Sequence, residues 1–196
     1  MDGIKQQRIQ VWDPLVRLFH WLLVISFLIA YVLEDDRLNL HVLAGSIVFG
    51  LIVFRLIWGF MGTEYSRFAD FICSFKQIIQ HLRDLVRLRP AHHSGHTPIG
   101  SVMILLLLFC LLLLTLSGIM LYAHEGAHFP LAGFMAATEL DTTLFIENLH
   151  GWIADMLMLF VLFHIAGVLL ESLLQKQNLI WAMFTGYKTI RKEKNI

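Results

Sequence analysis

The stretch Glu147–Glu171, ENLHGWIADMLMLFVLFHIAGVLLE, decides how the chain is read. It is long and apolar enough to cross a bilayer as a helix, yet it carries two histidines, His150 and His164. At about 100° per residue, fourteen residues turn through roughly 1400°, about 40° short of four full turns. Both imidazoles therefore leave the same helix face, about 21 Å apart along the axis. Two polar, metal-binding side chains on one stripe of a membrane helix are costly to place, so a functional role is the default. The rest of the chain is expected to supply a partner for each.

Composition agrees with a membrane setting. Of 196 residues, 57% are hydrophobic and only 15% charged, and the mean hydropathy is +0.67, well above an ordinary soluble domain. The formal net charge is zero, so no nucleic acid or other polyanion is indicated. Cys73 and Cys110 lie far apart, without a Cys-x-x-Cys-His; they indicate neither a disulfide framework nor covalent haem and read as small apolar side chains. The first apolar run ends in Glu34-Asp35-Asp36 with no Ala-x-Ala site, which marks a retained span and not a cleaved signal peptide.

Taken in order, Asp13-Pro14 reads as a helix cap followed by proline at the first helical position. Apolar runs then predict four spans, at about 14–33, 38–61, 98–122 and 148–174, forming one all-α four-helix transmembrane bundle, with the last helix beginning already after Asp141. Between the second and third, apolar residues from Phe68 to Val86 recur at helical spacing among basic ones. That pattern predicts an amphipathic helix over about 67–89, lying in the membrane surface. Fourteen of the 15 Lys and Arg fall on the side shared by both termini and this helix; only Arg37 falls on the other, among Glu34, Asp35, Asp36, Glu125, Glu139, Asp141 and Glu147. The positive-inside rule then puts both termini in the cytoplasm.

With orientation set, the intramembrane histidines form two level pairs. His20 matches His164 toward the cytoplasm, and His41 matches His150 toward the outside. Imidazoles paired at one depth, with no carboxylate accompanying them, suit haem held by two axial histidines in a slot between helices. Isolated histidines lining a polar cavity are the competing explanation, but they leave the matched depth unexplained. Two such haems would form a relay across most of the hydrocarbon core. Propionates need cationic partners, and Arg17 and Arg55 are the candidates, with snorkelling to lipid phosphate as the alternative for Arg17. His92, His93 and His96 in the cytoplasmic loop, His124 and His128 outside, and His81 on the surface helix read as ordinary solvated or surface side chains.

VWDPLVRLFHW, FRLIWGFMG, RFADF, GHTPIG, ENLHGW, LFHIAGV and NLIWAMFTGYK together resemble the bacterial cytochrome b561 and nickel-iron hydrogenase b-subunit family along nearly the whole chain. The resemblance implies a four-helix, dihaem b-type cytochrome of the inner membrane that exchanges electrons between membrane quinone and a periplasmic partner, such as a c-type cytochrome. It implies His20, His41, His150 and His164 as haem ligands. By similarity to related membrane anchors, quinone would sit near Trp58, Arg55, Tyr65, Arg67 and Lys188. Thr97 departs from the Asn expected in the GHTPIG motif.

Two alternatives come with this reading. A superoxide:quinone oxidoreductase would want a cationic outer funnel, which the acidic outer loops do not offer. A membrane anchor subunit of a larger redox complex would carry haem mainly as structure. A di-iron or zinc hydrolase would show closely spaced ligand sets such as His-x-x-x-His, and the intramembrane histidines show none.

Overall fold

The computed structural model describes residues 6–33, 37–87, 97–124 and 140–191. Helices α1 (Pro14–Val32), α2 (Leu38–Met61), α3 (Phe75–Val86), α4 (Pro98–His124), α5 (Leu140–Leu174) and α6 (Leu179–Thr185) are joined by a two-stranded ribbon, β1 (Gln6–Gln10) with β2 (Tyr187–Arg191). Four of the helices, α1, α2, α4 and α5, are long and apolar enough to cross a membrane. The protein is an all-α membrane protein, as its apolar runs require. The histidines His92, His93, His96 and His128, and the acidic residues Glu34–Asp36, Glu125 and Glu139, lie outside the described residues.

The chain folds as two compact units. One comprises His20–Leu56 and Leu105–Leu162. Its core draws on all four long helices: Phe27 from α1, Val48 and Ile52 from α2, Leu111 and Leu114 from α4, Ala154 and Leu157 from α5. The other comprises Met1–Phe19, Ile57–Ile104 and Phe163–Ile196. Here the antiparallel ribbon pairs Gln6 with Arg191 and Gln10 with Tyr187, which brings the two ends of the chain side by side. The turn into β2 is made at Gly186, whose φ of 88° closes α6 in the left-handed region. A Cβ there would also stand 2.7 Å from the Trp12 carbonyl oxygen, so glycine is required twice over.

α5 begins at Leu140, next to the helix start expected after Asp141 and ahead of the apolar span from about 148; Asp141 sits in its first turn, where an acid complements the helix dipole. Two boundaries differ from those read in the sequence. The surface helix does not run over 67–89. Glu64–Ser66 and Phe68–Phe71 are single 3₁₀ turns, and α3 starts only at Phe75, because Ser74 and Gln77 form a reciprocal capping box. α4 runs two residues beyond 122, to His124.

Candidate haem sites

His41 stands one turn into α2. Its Nδ1 lies 2.8 Å from the Ala30 carbonyl oxygen of α1. A carbonyl can only accept, so Nδ1 carries the hydrogen and the Nε2 lone pair is left to bind a metal. His150 on α5 reaches the same condition by another route. Its Nδ1 lies 2.9 Å from the Ser117 hydroxyl, and that hydroxyl donates its one hydrogen to the Leu114 carbonyl at 2.9 Å. Ser117 therefore accepts from His150, and Nε2 again keeps its lone pair.

The two rings meet edge to face, with centroids 6.1 Å apart and planes inclined by 68°. An imidazole nitrogen sits about 2.0 Å from a transition metal, as on zinc, and about 1.1 Å from its own ring centre. By that spacing His41 and His150 would be able to hold one haem iron between them, and the haem would supply one-electron chemistry there. Space beside them agrees. A Cβ added at Gly45, one turn after His41, or at Gly151, next to His150, would meet nothing within 4 Å. At Gly118 a Cβ would lie 3.1 Å from His150 Cε1, so only glycine gives that imidazole its full clearance. Ser117, Gly118 and Ala30 were not singled out by sequence reasoning, although Ser117-Gly118 interrupts an otherwise apolar span and polar or small residues there are signals of packing or function.

One carboxylate does accompany the histidines. Asp155, five residues after His150 on α5, accepts a hydrogen bond from the Tyr31 hydroxyl at 3.2 Å. Five residues turn the helix by about 500°, so Asp155 points roughly 140° away from the His150 face and stays clear of the ligand pair.

His20 and His164 are half-buried and fall in different compact units. The His20 ring stands edge-on to Trp21 at 5.0 Å. His164 shares the unbroken helix α5 with His150. Arg55 on α2 is buried, at 4% exposure. Arg17 gives its guanidinium to the Phe184 carbonyl at the end of α6.

Among the other expected polar residues, Asp13 is a hub. It accepts from the Val16 N–H at 2.9 Å as the cap of α1, from Trp58 Nε1 at 3.3 Å and from the Thr63 hydroxyl at 2.7 Å. Burial alone would raise its carboxyl, but the bonds from Val16, Thr63, Trp58 and Leu15 outweigh it and hold the group below the ordinary aspartate value. Arg67 Nε donates to the Gly62 carbonyl at 2.7 Å, and Tyr65 is half-buried.

A second polar cluster escaped sequence reasoning. Glu171 near the end of α5 accepts from the Thr97 hydroxyl at 2.7 Å, and Thr97 in turn caps α4 by accepting from the Gly100 N–H at 3.2 Å. That gives the residue at the departed motif position a definite task. His81 on α3 is 3% exposed, with Nε2 3.9 Å from Glu171, so it is not the surface histidine its helix suggested: it lies on the buried side of α3, away from the exposed Phe75, Leu82 and Val86. Lys188 on β2 is buried, with Nζ 4.7 Å from the Trp12 ring centre. Burial pushes its amine down to about 8, and Glu171 opposes that shift.

The model of the family described as prokaryotic cytochrome b561 matches residues 11–186. The chain belongs to that family. This cytochrome is accordingly a b-type haem electron-transfer protein that crosses a bacterial membrane several times. It is similar to the probable Ni/Fe-hydrogenase B-type cytochrome subunit of Rhizobium leguminosarum bv. viciae, 22% identical over 98% of this chain and 94% of that one. It is also similar to the probable Ni/Fe-hydrogenase 1 B-type cytochrome subunit of Escherichia coli K12, 21% identical over 91% and 90%. No solved structure matches the chain.

Proposed function

We propose that this cytochrome holds two haems b, one between His41 and His150 and one between His20 and His164, and carries electrons across the inner membrane between membrane quinone and a redox protein on the outer side. The His41 and His150 imidazoles, brought within 6.1 Å of each other from α2 and α5, carry this reading. Each haem supplies reversible one-electron iron chemistry, and two histidines per iron leave no open position for oxygen. The residues' part is to hold and orient. The Ala30 carbonyl and Ser117 hydroxyl fix which nitrogen faces the metal, and the apolar wall of Phe27, Val48, Ile52, Leu111 and Leu114 keeps water out. Arg55, buried on α2, pairs with a propionate, as does Arg17. Both termini lie in the cytoplasm, consistent with a ribbon that joins them on one side. α3 rests in the membrane surface on its exposed Phe75, Leu82 and Val86. Quinone binds on that side, near Trp58, Tyr65, Arg67 and Lys188.

A second reading is supported by the relatives, which are described as subunits and aligned over nearly their full length. In it the cytochrome is the membrane anchor of a redox enzyme complex, and that enzyme is the outer partner in place of a c-type cytochrome.

Haem quantification with dithionite-reduced minus oxidised spectra tests the core of the proposal. Two b-type haems per chain are expected, one lost in both His41→Ala and His150→Ala and the other in both His20→Ala and His164→Ala. A purified protein without a Soret band, or one keeping both haems after His150→Ala, refutes it. Re-oxidation by added quinone, with and without a partner, then separates the transmembrane carrier from the anchor.

A further inference from the structure

The four sides of α3 carry four kinds of residue. At about 100° per residue, the exposed Phe75, Leu82 and Val86 leave the helix within about 20° of one direction. The half-buried Ile78 and Leu85 and the buried His81 lie roughly a quarter turn to one side of that line. His81 there reaches to 3.9 Å from Glu171, so this side faces the protein. Lys76, Arg83 and Arg87, all exposed, lie within about 20° of a line a quarter turn to the other side. The fourth side holds Gln77 and Asp84, and Asp84 accepts from Gln80 at 2.9 and 3.1 Å. Arg83 and Arg87 at the end of the helix are where its dipole favours cations. Lys76 is in the first turn, where the dipole disfavours a cation and no acid stands. The dipole therefore does not account for the stripe as a whole.

We propose that Lys76, Arg83 and Arg87 form a docking stripe for the phosphate headgroups of anionic phospholipids. The inference rests on the reading that α3 lies in the membrane surface. The neighbouring apolar line argues for lipid over an acidic protein. Phe60 and Met61, at the end of the span α2, are exposed, and the Phe60 ring meets Phe68 at 5.5 Å, which meets Phe71 at 5.9 Å. Apolar surface thus runs from the end of a membrane span to the start of α3, within one compact unit. With Phe75, Leu82 and Val86 set into the acyl boundary, a line a quarter turn away on the side opposite the protein stands at headgroup level. That is the line the three basic residues occupy.

Lys76 and Arg87 are eleven residues apart, so the stripe is about 16.5 Å long. Each Lys or Arg held at an anionic bilayer surface strengthens attachment roughly fivefold, hence on the order of a hundredfold for three. The attraction is screened by salt, with a Debye length of about 10 Å at 0.1 M and about 3 Å at 1 M.

The test follows amide hydrogen exchange of α3 by mass spectrometry in the purified full chain, placed in nanodiscs of phosphatidylcholine or of an equal mixture with phosphatidylglycerol. Attachment of α3 suppresses the local opening that exchange requires. Exchange is expected to be slower on the anionic bilayer by a factor between about ten and a hundred, and the difference to vanish in about 1 M salt. The triple variant Lys76→Gln/Arg83→Gln/Arg87→Gln is expected to exchange equally in both bilayers, while Lys76→Arg keeps the wild-type difference. Equal wild-type rates overturn the proposal and leave the stripe to an acidic protein. Slowing that persists in the triple variant overturns it too. So does equal slowing by inorganic phosphate on phosphatidylcholine, which marks a free-anion site, or slowing that appears only when chains are crowded in one disc, which marks a second copy. Phe75→Ser/Val86→Ser is expected to speed exchange on phosphatidylcholine. No change there refutes the surface placement of α3 itself, whereas faster exchange without a phosphatidylglycerol effect in the wild type refutes the stripe alone.

Discussion

Ser117→Ala is the sharpest probe of the outer site, because it changes one hydroxyl that touches a ligand's far nitrogen and leaves both proposed ligands in place. In the wild type the His150 Nδ1–H is accepted by Ser117 at 2.9 Å, which makes the ring a better electron donor to a bound metal. A more basic ligand favours the ferric state, so losing the acceptor is expected to raise the potential of the haem between His41 and His150. A neutral hydrogen bond is worth about 0.5–1.5 kcal/mol net. At about 1.4 kcal/mol or 59 mV per tenfold for one electron, that is roughly 20–65 mV. Only the part of that bond that differs between ferric and ferrous iron enters the potential, so the expectation lies in the lower half, roughly 20–40 mV upward. The assay is a potentiometric titration of the reduced α-band, resolved into two components. Ser117→Thr, which keeps a hydroxyl, is expected to sit near the wild type. If Ser117→Ala keeps both haems and neither component moves, or if the component that moves is the one lost in His20→Ala, the orientation argument is wrong.

Two further expectations concern the two compact units separately. In Gly118→Leu, the side chain starts from a Cβ only 3.1 Å from His150 Cε1 and must displace the imidazole. One haem is expected to be lost on purification while Gly50→Ala, with nothing within 4 Å, keeps both; equal haem content in the two variants would contradict this. In Asp13→Ala, α1 loses its cap, worth about 1 kcal/mol, and Trp58 and Thr63 lose an acceptor, so roughly 2–4 kcal/mol is expected by detergent–urea unfolding followed by circular dichroism. Because the Asp13 carboxyl is held below its ordinary value, its contribution is complete above the ordinary carboxylate range and disappears as pH falls through the lowered value. Asp13→Asn is expected to flatten that acid limb, and an unchanged limb would show that other groups govern it.

What could be read in the sequence followed from how local each feature is. The ends of α1 and α2 were legible because an apolar run meets a cap and a proline at Asp13-Pro14, or a break to polar residues beyond Met61. The start of α5 showed as a helix expected after Asp141, while the apolar run that marks its span begins only near 148, because Thr142 and Thr143 carry no apolar period. The Ser74-x-x-Gln77 signature was in plain view, yet the strong amphipathic pattern across it carried the expected helix straight over its true start. For the site, the histidines were conspicuous because an imidazole is out of place in a span. Their supports were not: Ala30 acts through its carbonyl, which every residue has, and Ser117 is a small polar residue of a kind that membrane helices tolerate by bonding back to their own turn. The ribbon and the Glu171 cluster were least accessible of all. β1 and β2 are each five residues long and lie at opposite ends of the chain, and a pairing between distant segments leaves no periodicity in either. That ribbon is what carries Lys188 inside, so although the resemblance singled this lysine out, nothing in the basic tail announced its burial over the Trp12 ring.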